Sequence, residues 1–405
     1  MQHIKYTGVF VRIALLSALL IGGLIGLTSL IAPYTGYPID HAHRVQHIHL
    51  QTWYFIGGFV LGAGFRIIPQ LTARPLPDLP VPQVASVLYV GSALIWVFAL
   101  PFVLPDPGQG GLFLVSIALF IEMVVWGGFV VVLMNSLWFA RKEGVWKGVA
   151  AAGLLVMFGC VLSNVVGWAG FSDVLDVIGM TWVRRGYMGF LFVGVPLLAM
   201  GICGRALRKK EDPDWAYMTG AALISLGTVA FAGIVRLPFL TTAGAILFLP
   251  GFIVFAYGIA FHRQFDRLNI PGFSHGVVVA FSFVMTVAVF YTLDQFTGVP
   301  LQTRGMIHVW ALGFLTVLIV GFGTWIFPSA AGRVPINSYS TVMAVYVLGT
   351  GTLLRVLAPL INAAFGGAGL YTILLLGGGV LQYTGIAIFA VALWPNLPRL
   401  VAKES

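Results

Sequence analysis

The chain has 405 residues, of which 59% are hydrophobic and only 9% charged, against roughly 25% charged in an ordinary soluble domain. A soluble fold cannot hide that much apolar surface, so the composition predicts an all-α, polytopic membrane protein forming a single integral membrane domain. The net charge of +9 sits in short stretches between apolar runs, where it reads as a topology signal and not as a nucleic-acid surface.

Crossing about 30 Å of hydrocarbon as a helix takes roughly 20 residues. Apolar runs of that size fall near 9 to 33, 45 to 70, 82 to 104, 111 to 139, 146 to 168, 183 to 204, 216 to 236, 242 to 262, 273 to 293, 303 to 327, 337 to 359 and 368 to 394, which predicts twelve transmembrane helices. The first run is too long, and too poorly followed by a small-residue cleavage site, to read as a signal peptide. Placing the N-terminus inside puts most of the Lys and Arg residues at inner helix ends and leaves Arg44, Arg184, Arg185, Arg236, Arg304 and Arg355 outside. Both termini are therefore expected in the cytoplasm, and even-numbered spans start at the outer face.

The second span opens in the segment DHAHRVQHIHLQTW, which holds His41, His43, His47 and His49. His47 and His49 are two residues apart, about 200° on a regular helix, so they cannot both face one central cofactor. Imidazole suits copper, iron and zinc. His41, His43 and His47 are thus candidates for a second metal or for outer-face hydrogen bonding, and solvated loop positions suit His41 and His43 equally well. The fourth span carries Glu122, the acidic residue lying well within a predicted membrane segment. It reads either as a protonatable or metal-facing group or as a hydrogen-bonded packing residue kept neutral. Cys160 and Cys203, in the fifth and sixth spans, read as core cysteines without a CxxC pattern. His262 and His275 fall at inner helix ends, where they cap or snorkel.

The tenth span repeats features of the second at an offset of 259 residues: His49 falls on His308, Gly62 on Gly321, Gly64 on Gly323, Pro69 on Pro328 and Arg74 on Arg333. This predicts an internal duplication in which the second-span unit, 45–104, resembles the tenth-span unit, 303–359. Two imidazoles facing each other across a bundle can supply the axial ligands of a heme, which makes His49 and His308 the candidate pair. Arg44, Arg236, Arg304 and Arg355 lie near outer helix ends, where guanidinium groups can bind heme propionates. A cofactor-free transporter or metal-handling permease fits the duplicated, glycine-rich spans as well, and so does an accessory electron-transfer or scaffold subunit.

On these residues the sequence resembles the NnrS family of heme- and copper-containing membrane proteins. His47, His49 and Pro69 match its early H-x-H and the proline ending the following glycine-rich helix. His308, Gly313, Gly332 and Arg333 match its late H-x-x-x-x-G and G-R. The run GFGTWIFPSAAGR departs from the family by lacking a histidine. The resemblance implies a heme, written as b-type, with copper as a further metal, in a bacterial inner membrane protein that acts in nitric oxide metabolism or nitrosative-stress protection with a redox donor. More distantly, the layout is similar to subunit I of heme-copper oxidases, whose low-spin heme is held by histidines of the second and tenth spans. The absence of histidines from the sixth and seventh spans disfavours oxygen reduction.

Overall fold

A helix that is apolar around its whole circumference has no face for water and is buried in protein or lipid. In a computed structural model, which describes residues 4–35, 41–73, 76, 80–98, 109–140, 144–169, 176–234, 237–263, 271–297, 304–329, 338–365 and 368–397, the apolar runs form twelve long helices. These are α1 (Tyr6–Ala32), α2 (His43–Thr72), α3 (Val81–Phe98), α4 (Phe113–Trp138), α5 (Trp146–Trp168), α6 (Thr181–Arg205), α7 (Asp214–Phe231), α8 (Pro238–Gly258), α9 (Gly272–Thr297), α10 (Met306–Phe327), α11 (Tyr339–Asn362) and α12 (Gly369–Asn396). Eleven of them are long and apolar enough to cross a membrane. The twelfth, α7, is 18 residues long, starts with Asp214 and falls short of that combination of length and apolarity.

Burial divides the helices into two classes. The most apolar stretches of α2, α6 and α10 are 72%, 89% and 72% buried inside the protein, whereas no other span among the eleven exceeds 50%. The three therefore stand at the centre. The Trp310 indole of α10 donates to the Leu191 carbonyl of α6 at 2.9 Å and its ring stacks on Phe192. The C-terminal half of α2 packs on both α6 and α10. The remaining helices surround this trio in chain order, and the circuit closes where α12 packs on α1. Their outward side chains, such as Val87, Phe120, Val131, Ile253 and Ile373, are apolar and exposed, as contact with lipid requires.

All three central helices are interrupted by π-helical segments: Leu50–Ile56 in α2, Phe190–Gly194 in α6 and Val309–Thr316 in α10. A further one, Ser17–Ile21, lies in α1. Single π turns inside α-helices widen the backbone and cluster at functional sites. In α2 and α10 the π segment begins directly after His49 and directly after His308. The Pro69 side of α2 ends in a left-handed cap at Ala73, whose φ is 53°. Arg74 and Arg333, the basic pair of the predicted repeat, lie outside the described residues.

Candidate functional site

The two-residue spacing of His47 and His49 places their side chains on opposite faces of α2, and each face meets a different environment. His49 is fully buried, with its ring stacked on Trp96 of α3 at 3.5 Å between centroids. Its Nε2 lies 2.9 Å from Glu122 Oε1, and its Nδ1 lies 2.6 Å from the Tyr187 hydroxyl of α6. A carboxylate only accepts, so Nε2–H donates to Glu122 and the Tyr187 hydroxyl is left to pair with Nδ1. Both ring nitrogens of His49 are engaged in this arrangement.

The same carboxylate oxygen collects further donors. The Tyr54 hydroxyl, one π turn along α2, donates to Glu122 Oε1 at 2.6 Å, and Ser92 Oγ of α3 donates to it at 3.2 Å. Tyr54 and Ser92 also touch each other through their hydroxyls. Tyr89 closes the cluster from α3 by donating to the carbonyls of Trp53 and Tyr54 at 2.8 and 3.0 Å. Glu122 is a 3% exposed carboxyl whose hydrogen bonds tie α2, α3 and α4 together.

His47 faces the other way. Its Nδ1 lies 2.6 Å from the Gly22 carbonyl of α1. A carbonyl cannot donate, so Nδ1 carries the proton and the lone pair stands on Nε2. The ring rests against Gly26, where a Cβ would come within 2.7 Å of His47 Cε1. Glycine at Gly26 is thus a requirement of close approach. Arg355 of α11 is near enough for its charge to act on the His47 ring. Its Nη1 donates to Gln382 Oε1 of α12 at 2.9 Å, and Gln382 Nε2 donates onward to Thr352 at 3.1 Å, while Arg355 Nε is buried without a partner.

His47, His308 and Arg355 are each half-buried, on α2, α10 and α11. Their helices belong to one circuit: α2 packs on α1, α1 on α12, α12 on α11, and α11 on the short turn Arg304–His308 that leads into α10. Of the other residues singled out from the sequence, Arg44 is exposed and His43 is half-buried in the first turns of α2. The side chains of His41 and Arg304, and all of Arg236, lie outside the described residues. Among the described residues, no three or more His, Cys, Asp or Glu side chains come together as a metal-binding group. Cys160 and Cys203 are both free and buried. His275 pairs with the Tyr346 hydroxyl at 2.8 Å.

Sequence reasoning alone did not reach Tyr54, Ser92, Trp96 and Tyr187. The signal that leads to them is Glu122 itself, since a carboxylate in a membrane span requires donors. Nothing in the sequence marks Gly22, whose contribution is a backbone carbonyl.

No protein-family model matches the chain, and no curated protein matches it. Among solved structures, the cryo-EM structure of a heme-copper terminal oxidase dimer is similar, with a TM-score of 0.70 at 13% sequence identity over 100% of this chain and 85% of that one. The protein is an all-α, polytopic membrane protein whose helices are arranged as in a heme-copper-oxidase-like bundle.

Proposed function

We propose that this chain is a heme-carrying redox protein of a bacterial inner membrane, with His47 and His308 as the axial pair, acting in nitric oxide chemistry. The observation that carries the reading is the hydrogen bond from His47 Nδ1 to the Gly22 carbonyl. Metal-ligating histidines characteristically donate their second ring nitrogen to a carbonyl or carboxylate, which fixes the tautomer and orients the ring. His47 meets that condition, whereas His49 has both nitrogens engaged by Glu122 and Tyr187. The bundle's likeness to a heme-copper oxidase and the π segment that follows His308 support the same choice.

When bound there, heme would supply one-electron redox chemistry and a coordination position for which nitric oxide can compete. The protein's own contributions follow from the geometry. The Gly22 carbonyl holds the His47 proton on Nδ1, and Gly26 leaves room for the ring. Arg355, anchored by Gln382, offers a guanidinium suited to a propionate. The His49–Glu122–Tyr187 network locks the opposite face of α2, so that the turn bearing His47 has one orientation. In this reading the histidine end of the bundle faces outward, as the distribution of basic residues favours.

The test is heme content per protein, by pyridine hemochrome assay, with absorption spectra before and after reduction and after nitric oxide addition. His47→Ala and His308→Ala are expected to lose heme, and His49→Ala to keep it at lower stability. Heme retained in His47→Ala but lost in His49→Ala would reverse the ligand choice. A colourless wild-type preparation would overturn the reading in favour of a cofactor-free permease.

A further inference from the structure

A half-open cavity of about 80 Å³ lies where the three central helices meet, on the far side of the π segments from the histidine end. Its walls come from α2 (Phe59 to Ile67), α6 (Val195 to Ile202) and α10 (Leu315 to Phe327), and every lining side chain is apolar. In each helix the wall starts where the π segment ends: after Ile56, after Gly194 and around Thr316. A π turn shifts the rows of side chains that follow it, so the ridges of three such helices do not mesh fully below it. Small residues widen the gap, with Ala63 of α2 and Ala199 of α6 among its lining.

The lining decides what the space can hold. A water molecule needs two to four polar partners, and an apolar cavity that lacks them stays dry while accepting small apolar guests such as xenon. Drug-sized ligands and cofactors need several hundred cubic ångströms, well above the volume found here. We propose that the cavity is a holding site for one small apolar gas molecule of diatomic size, separate from the histidine end. The inference goes beyond the heme reading and needs no cofactor, because it rests on volume and lining alone.

The experiment is xenon pressurisation of crystals of the full chain, with xenon located by anomalous scattering. Wild type is expected to show a xenon peak bounded by Ala63, Ala199 and Gly323. Ala199→Leu, and independently Ala63→Leu, should abolish that peak while the protein remains monodisperse and crystallises in the same fold. Ordered water or a lipid chain in the cavity overturns the proposal, as does an empty cavity when xenon occupies other sites at the same pressure. A peak that persists in both filling variants also overturns it. Because heme-free protein serves as well as loaded protein, the outcome is independent of the heme assay.

Discussion

Removing the Glu122 carboxylate tests the buried network most directly. In Glu122→Ala, the His49 Nε2–H and the hydroxyls of Tyr54 and Ser92 lose their common acceptor. Tyr54 can then donate to Ser92, and Ser92 to the Ala118 carbonyl at 3.2 Å, so one donor of the three, His49 Nε2–H, is left stranded. A buried donor without an acceptor costs about 1–3 kcal/mol. Adding the small void left by the side chain, the expected loss is about 2–4 kcal/mol. Glu122→Gln keeps the shape and can keep a carbonyl oxygen where the three donors converge, but that neutral oxygen accepts less strongly and a buried N–H₂ takes the place of Oε2, so it should lose about 1–2 kcal/mol. Unfolding of the detergent-solubilised protein, followed by tryptophan fluorescence with Trp96 stacked on His49 as an internal reporter, should rank wild type above Glu122→Gln above Glu122→Ala. A Glu122→Ala protein as stable as wild type would refute the claim that this carboxylate organises the three helices.

Three further outcomes follow from the packing. Gly26→Leu drives a side chain into the His47 ring and should lower heme content several-fold with little change in helix content, read by hemochrome assay beside circular dichroism. Gly220→Val sets a side chain into the backbone of Phe255 where α7 and α8 approach most closely, and should destabilise the protein by about 1–3 kcal/mol, typical of overpacking, seen as a lower unfolding midpoint. Trp310→Phe removes the indole donor to the Leu191 carbonyl and should cost about 1–2 kcal/mol in the same assay, with the α6–α10 stack of aromatic rings retained.

The bundle was legible because membrane helices announce themselves by length and hydropathy, and all twelve predicted runs correspond to helices. The weakest, α7, is also the one that falls short of an autonomous span. The opposition of His47 and His49 was legible too, since two residues of helix rotate a side chain to the far face. Which face holds the lone pair was not. That depends on the Gly22 carbonyl, which has no sequence signature, and on Tyr187, 138 positions from His49 along the chain. The π segments were equally hidden, since their residues are the same apolar types that fill the regular turns.

The close pairing of α7 with α8 bears on how the chain is assembled in the cell. Gly220, Gly227, Gly244, Gly251 and Gly258 let the two backbones approach so closely that added side chains would collide, the packing mode by which small residues hold membrane helices together. At the base of the pair, Arg208 donates to Asp214 at 2.5 Å and to the Gly258 carbonyl at 3.0 Å, pinning the start of α7 to the end of α8. We therefore expect α7, the one of the twelve that falls short of a span by length and composition, to enter the bilayer as a hairpin with its more hydrophobic successor. A nascent chain truncated before α8 should leave α7 outside the membrane, as a glycosylation-tag insertion assay would report, and its insertion without α8 would refute that dependence.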